Sequence, residues 1–220
     1  MRSLWQVGAF LFLLLNPLFL GLLWAGQGGL SGVHGRVSPN GEYLVYVSRQ
    51  KRDFARRASS SIVLRSLKSP SKARALTQGE GRDDFPCFSP DGKTVYFQSD
   101  RSGLSKIWSV EINGGRAEQV TFGSSRDYHP SISPNGRYLA YDSNKSGNYD
   151  LWLRDLKSSK ERQLTKSRGP DFSPTWSPRG KALAFTSNRG EGFQIYIYRF
   201  DKSRQRIQRL SSGDAVHAHP

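Results

Sequence analysis

The sequence predicts an all-β fold: a β-propeller built from four antiparallel four-stranded blades and preceded by an N-terminal apolar helix. The first observation behind this prediction is a repeated Ser-Pro-x-Gly turn. Its prolines recur at spacings of 51, 44 and 44 residues, at Pro39, Pro90, Pro134 and Pro178. Two further landmarks recur in step, one at Thr77, Thr121, Thr165 and Ser211 and the other at Ser48, Ser99, Ser143 and Ser187. A period near 44 residues with strand-like units is typical of propeller blades.

Each repeat contains four candidate strands, which in the second repeat are PCFS, KTVYFQS, KIWSVEI and AEQVTF. Proline at the second turn position, followed by Asn or Asp and then Gly, favours a chain reversal between them. A four-stranded meander has two apolar faces, and radial stacking on its copies buries both. The blades are expected at about 31–79, 80–123, 124–167 and 168–220, with Trp108, Trp152 and Tyr196 in equivalent buried places between them.

The first 30 residues differ from the rest of the chain. Leu4 to Ala25 form an uncharged apolar segment with Arg2 on its N-terminal side, which is typical of a secretory signal peptide or a signal anchor. Both alternatives predict that residues 31–220 are periplasmic or otherwise extracytoplasmic. If the segment is not cleaved, residues 4–25 anchor the protein to the inner membrane.

The exported part carries most of a strong positive charge. The chain has 33 Lys and Arg against 18 Asp and Glu, a formal net charge of +15. Such a domain attracts acidic protein, acidic glycan or anionic lipid, whereas export argues against nucleic acid as a partner. Cys87 is the single cysteine, so the chain forms no intrachain disulfide.

The repeat, for example FSPDGKTVYFQSDRSG from Phe88 to Gly103, resembles the TolB-type propeller repeat, a WD40-like repeat also called PD40, over residues 35–220. The resemblance implies a relation to the TolB proteins of the Tol–Pal envelope system, and to biopolymer transport. Similar repeats also occur in propellers of prolyl-oligopeptidase-like hydrolases and of some sugar lyases.

A TolB protein would carry a separate α/β domain before six blades, whereas this sequence has four repeats directly after its apolar segment. The expectation is therefore a short TolB-like form that lacks the α/β domain. Three alternatives stay open: the four blades close alone, a second chain completes the ring, or the sequence is truncated. Whether the protein has any Tol–Pal role also stays open.

Two charged series recur in register and are the candidate site residues. Asp83, Asp127 and Asp171 lie three residues before the first-strand proline, and His217 takes that place at the end of the chain. Arg101, Lys145 and Arg189 lie two residues after the strand-closing serine. Alternate loops of a meander emerge on alternate sides, so both series are predicted on one rim. There the acids either cap the strand starts and pair with the cations, or form, with His217, a channel-mouth ring that holds a cation or ligand.

The first blade adds a basic insertion on the same rim. From Ser48 to Ile62 the chain takes 14 residues, against 8 from Ser99 to Ile107. The insertion contributes Arg49, Lys51, Arg52, Arg56 and Arg57. Insertions at one loop position map to one face, often the binding face. These five cations, with Arg101, Lys145 and Arg189, are the predicted partner-binding set; the alternative is a solvated charged loop.

The sequence favours a non-enzymatic interaction or scaffold propeller of the cell envelope. The nucleophile elbow G-x-S-x-G is absent, and the four histidines do not recur in register, so we predict no catalytic residues, no cofactor and no metal. The expected partners are an envelope protein or an acidic glycan or lipid surface, with self-association to complete the ring. The alternatives are a glycan lyase or peptidase-type propeller remnant with a channel metal site, and an anionic-membrane adaptor.

Overall fold

The structure is a computed structural model that describes residues 32–49, 59–69, 71–201 and 207–212. The predicted N-terminal helix, most of the basic insertion and His217 lie outside the described residues. Within the described ranges, no helix is long and apolar enough to cross a membrane.

Within the described residues, sixteen strands form four antiparallel sheets of four strands each. The first sheet consists of β1 (Gly32–Val37), β2 (Tyr43–Arg49), β3 (Ser60–Ser66) and β4 (Ala73–Ala75), and the second of β5 (Asp84–Phe88), β6 (Thr94–Ser99), β7 (Lys106–Glu111) and β8 (Glu118–Gln119). The third consists of β9 (Asp127–Ile132), β10 (Tyr138–Ser143), β11 (Asp150–Asp155) and β12 (Glu161–Gln163), and the fourth of β13 (Asp171–Trp176), β14 (Ala182–Gly190), β15 (Gly192–Arg199) and β16 (Ile207–Arg209). The predicted fold of four meander blades is confirmed.

The repeated Ser-Pro-x-Gly turn joins the first two strands of every sheet. In the second sheet the Ser89 hydroxyl accepts a hydrogen bond from the Thr94 amide at 3.0 Å and donates one to Asp91 at 2.5 Å. The amide of Gly92 closes the turn on the Ser89 carbonyl at 2.9 Å, with φ of +70° at the glycine. That positive φ explains the recurrent glycine, since residues with a Cβ rarely adopt it.

The repeated threonine, or serine in the fourth blade, follows the fourth strand of each blade and accepts a hydrogen bond from the third strand. The hydroxyls of Thr77, Thr121, Thr165 and Ser211 accept the amide hydrogens of Ile62, Ile107, Leu151 and Ile195 at 2.8, 3.0, 2.9 and 2.8 Å. Three of these hydrogen bonds are buried and the one to Ser211 is partly buried, so an unpaired donor at these positions would be costly. The second landmark is therefore a hydrogen-bonding requirement of the blade.

The sheets stack face to face in chain order and bury the apolar side chains between them. One cluster joins the first and second sheets (Val45, Val47, Ile62, Leu64, Leu76, Val95, Phe97, Val110), a second the second and third (Ile107, Leu139, Tyr141), and a third the third and fourth (Ala140, Leu151, Leu153, Leu183, Phe185, Tyr196, Tyr198). Trp108 packs on the first cluster and Trp152 on the second. The three aromatic positions thus lie between blades, as expected, although only Tyr196 is buried and the two tryptophans are partly buried.

The first strands of consecutive sheets contact one another, β1 with β5, β5 with β9 and β9 with β13. Among the described strands, no strand of the first sheet contacts a strand of the fourth. The described sheets therefore form a series with two end faces rather than a ring closed by direct contact of the end sheets.

Candidate interaction face

The acidic series is fully buried at the junctions between blades. Asp83, Asp127 and Asp171 are each 0% exposed. Every one of these carboxylates accepts hydrogen bonds from a cation and a hydroxyl, because a buried charge is tolerated only when it is paired and hydrogen-bonded.

In the second and fourth sheets the cation comes from the predicted basic series. Arg101 donates to both carboxylate oxygens of Asp83, at 2.9 and 2.8 Å, and the Thr77 hydroxyl donates to Asp83 at 2.5 Å. Arg189 donates to Asp171 at 2.7 Å, where the Ser187 hydroxyl also donates. The acidic and basic series therefore lie together on one side of these blades, joined as ion pairs.

The same guanidinium groups lie over aromatic rings of their own blades. Arg101 is 5.1 Å from the ring centres of both Phe97 and Trp108. Arg189 has the same arrangement, 5.2 Å from Phe185 and 5.0 Å from Tyr196. Only 7% of the Arg101 side chain is exposed. Each arginine thus covers a cross-strand aromatic pair while it neutralises the buried aspartate.

The third sheet departs from this pattern. Lys145 donates to Glu161 at 2.6 Å and to the Tyr141 hydroxyl at 2.7 Å, and lies 4.3 Å from the Trp152 ring centre. Asp127 is instead paired with Lys106, which begins β7 of the preceding sheet, at 3.0 Å.

Lys106 was not predicted as a site residue, and it is only 2% exposed. Its ammonium group also donates to the Phe122 carbonyl at 3.2 Å and to Ser125 at 3.1 Å. In the sequence, a lysine at the start of a strand suggests an exposed charge in the preceding turn. Its equivalents Ser61, Asp150 and Gln194 are also buried and polar, so this position recurs in burial but not in residue type.

Burial and hydrogen bonding shift the pKa values of several of these groups. Burial raises the pKa of Asp83, while hydrogen bonds from Ser99 and Thr77 and the charge of Arg101 oppose the rise. Burial likewise raises the pKa of Asp150, against hydrogen bonds from Ser146 and Ser167. For Glu161, burial acts to raise the pKa, but hydrogen bonds from Lys145 and Tyr141 outweigh it and the pKa lies below its ordinary value.

The remaining predicted residues lie at or beyond the limits of the described chain. Arg49 ends β2 and is exposed, whereas Lys51, Arg52, Arg56, Arg57 and His217 are outside the described residues. Partner binding by the basic set stays a prediction. Among the described residues, no group of three or more His, Cys, Asp or Glu side chains is arranged to hold a metal ion.

The first strand of each sheet carries one residue with a left-handed backbone conformation, which the sequence analysis did not predict. His34, Phe85, His129 and Ser173 have φ of 64°, 49°, 48° and 55°, and the pairing register of each strand shifts there. Such left-handed non-glycine residues are uncommon and mark bulges. The available signal was their place directly before Pro86, Pro130 and Pro174 in three of the four strands.

Three of these residues form a continuous ring stack across the first three sheets. The rings of His34 and Phe85 stack at 3.9 Å, and Phe85 meets the His129 ring edge-on at 4.3 Å. A carboxylate orients each imidazole: Nδ1 of His34 is 2.7 Å from Asp84, and Nδ1 of His129 is 2.7 Å from Asp142.

Comparison with known proteins gives the family. The family described as PD40, TolB beta propeller domain, matches residues 36–146 and 128–220. An uncharacterised protein of Agrobacterium fabrum is 50% identical over 44 residues, which are 20% of this chain and 15% of that protein. The Tol-Pal system protein TolB of Bordetella pertussis is 40% identical over 58 residues, 26% of this chain and 13% of that protein.

Solved structures agree on the fold. A protein of Agrobacterium tumefaciens described as TolB superposes with a TM-score of 0.73 at 23% identity, covering 87% of this chain and 65% of that one. TolB of Acinetobacter baumannii superposes with a TM-score of 0.66 at 25% identity, covering 79% of this chain and 41% of that one. The chain thus spans only part of these relatives. Because the family match extends over residues 36–220, the chain belongs to the PD40 family of TolB β-propeller domains.

Proposed function

We propose that this chain is an exported, non-enzymatic interaction propeller of the cell envelope. The observation that carries the proposal is the burial of the recurring ionisable groups. The three aspartates are 0% exposed, and each forms an ion pair: Asp83 with Arg101, Asp127 with Lys106 and Asp171 with Arg189. As buried ion pairs they offer no solvent-facing acid or base to a substrate. Membership of the TolB propeller family and the partial matches to Tol-Pal system proteins support the same function.

A glycan lyase or peptidase-type remnant is the weaker candidate. It would need titratable side chains that converge, unpaired, on a channel ligand. The repeated carboxylates are already occupied, and the likeness to an oligogalacturonate lyase, at 16% identity and a TM-score of 0.62, concerns the fold alone.

We place the partner surface on the rim that carries the basic insertion. Arg49 and the four insertion cations form its outer part, and Arg101, Lys145 and Arg189 border it on the inside. An acidic envelope component, whether a protein, a glycan or a lipid surface, would be steered there by charge. In this proposal residues 4–25 direct export to the periplasm and, if uncleaved, anchor the protein to the inner membrane.

A charge-removal variant tests this surface. Replacing Arg49, Lys51, Arg52, Arg56 and Arg57 by Ser should weaken capture of the envelope partner and remove most of its salt dependence, since exposed charges are screened beyond about 8–10 Å. Stability should change by less than about 0.5 kcal/mol. The matched control removes five exposed cations of the opposite rim, Lys93, Arg116, Lys157, Lys160 and Lys181. Equal capture and an equal salt profile in both variants would refute this partner surface.

A second copy of the chain is also among the proposed partners. Ile195 and Ile197 lie partly exposed on the fourth sheet, on the face directed away from the third sheet. Stacking that face on the first sheet of another copy would bury it. Sedimentation velocity over a range of protein concentrations should then show an oligomer; a monomer throughout would exclude this partner.

A further inference from the structure

A groove opens between the third and fourth sheets, on the side of the Ser-Pro-x-Gly turns and therefore opposite the basic insertion. Its volume is about 480 Å³, within the range of protein ligand pockets. Leu153, Tyr138, Trp176 and Phe200 contribute its apolar lining, and Arg162 and Arg179 contribute its charges.

The stacked aromatic pair of the groove distinguishes this junction from the other two, and between the first and second sheets the equivalent residues are Phe88 and Ile112. The rings of Trp176 and Phe200 stack at 5.1 Å with an interplanar angle of 12°. Between the second and third sheets the equivalent residues are Ile132 and Leu156. Ile132 pairs with Leu139 as Trp176 pairs with Leu183, and the Leu156 amide bonds to the Arg137 carbonyl as the Phe200 amide bonds to that of Lys181. An aliphatic pair satisfies the blade junction there, so close packing alone does not require the two aromatic rings; at this junction Trp176 also donates its indole N–H to the Ser131 carbonyl of the third sheet at 3.1 Å.

The charges of the groove are of one sign. The Arg162 guanidinium lies 5.9 Å from the Phe200 ring centre, and Arg179 occupies the neighbouring turn. Both side chains are exposed, and neither has an ion-pair partner among the residues that the structure describes. No carboxylate belongs to the described lining of the groove. The register position of Arg162 carries Glu118 between the second and third sheets and Arg74 between the first and second.

We propose that this groove is a second interaction site, which binds an acidic peptide segment bearing a bulky apolar side chain. Tryptophan, tyrosine and arginine, the residue types that line it, are those that dominate binding energy at protein interfaces. The apolar side chain would lie against Trp176 and Phe200, and flanking carboxylates would face Arg162 and Arg179. The inference rests on the proposed interaction function and adds the chemistry of a partner on the opposite rim.

Three short peptides test the recognition directly by calorimetry with the full-length chain. The first is capped Glu-Glu-Phe-Glu-Glu; the others replace Phe by Ala, or all four Glu by Gln. We expect the first to bind at least about tenfold more tightly than either control, because each control removes one of the two contacts.

Matched variants locate the binding. Arg162→Glu/Arg179→Glu should weaken the first peptide at least about tenfold, whereas Lys93→Glu/Arg116→Glu, with the same net charge, should change it less than about twofold. Trp176→Ile/Phe200→Leu reproduces the aliphatic junction of the preceding sheets and should also abolish the preference for Phe over Ala.

Three results would overturn the proposal: no preference for the first peptide, equal losses in the two charge-reversed variants, or groove-dependent binding of digalacturonate without binding of peptide. The insertion cations are intact in all these variants. Failure here, with the insertion variant still losing its envelope partner, would therefore leave the proposed function standing.

Discussion

The second and third blades each contain a buried aspartate, and they neutralise its charge with different residues. In the second, Arg101 neutralises Asp83 with two hydrogen bonds and lies over Phe97 and Trp108. In the third, Lys145 is drawn to Glu161, and Asp127 is neutralised by Lys106 from the preceding sheet. The buried acid is maintained while the source of its cation changes. The repeat therefore requires a neutralised carboxylate at the blade junction rather than a cation at one fixed position.

The largest effect should follow from removing the substitute cation. Lys106→Met leaves Asp127 buried without an ion-pair partner and should destabilise the protein by about 3–5 kcal/mol. The control, Lys145→Met, removes a 23% exposed cation from the blade that contains Asp127 and should cost about 1 kcal/mol or less, the range of exposed ion pairs. Urea unfolding measures both. Equal costs would mean that Asp127 does not depend on Lys106.

A smaller effect is expected from the choice of cation in the second blade. Arg101→Lys keeps the charge but loses the two-oxygen geometry and the planar contact with Trp108, and should cost about 1–2 kcal/mol. The converse change, Lys145→Arg, should be close to neutral because Lys145 does not contact Asp127. If Arg101→Lys unfolds at the wild-type urea concentration, the bidentate contact contributes nothing to stability.

The smallest expected effect is a change in the way that stability depends on pH. Burial raises the pKa of Asp150, and the charge of Asp171 adds to the rise. A raised folded-state pKa means that the charged form is penalised at neutral pH and that the penalty is relieved as pH falls through that pKa towards the ordinary value of 3.8. Relative to wild type, Asp150→Asn should therefore be more stable at pH 7 than near pH 4. Urea unfolding of both proteins across this range checks the trend, and a pH-independent difference would contradict it.

The fold was predictable because its signals are local. The turn at Ser89–Gly92 and the strand alternation from Thr94 to Ser99 are determined by neighbouring residues, and both patterns recur in every repeat. Connectivity also sufficed to bring Asp83 and Arg101 to one side, where the structure pairs them. The contact of Lys106 with Asp127 could not be predicted, because it crosses between blades from a position that carries Ser, Lys, Asp or Gln. The left-handed residues of the first strands were also missed, since His34, Phe85 and Ser173 share a backbone conformation and no side-chain chemistry.

The central claim is that the stability of each blade junction depends on neutralising its buried carboxylate, whichever residue supplies the cation. Adding Lys145→Arg to Lys106→Met places an arginine at the position from which Arg101 and Arg189 reach their aspartates. Urea unfolding of the double variant tests the claim most directly. We predict that the arginine recovers at least about 1.5 kcal/mol of the stability lost in Lys106→Met, the lower end of the net value of a hydrogen bond to a charged group, while the same change in the wild-type background adds no stability. An identical cost for Lys106→Met with and without Lys145→Arg would contradict the account.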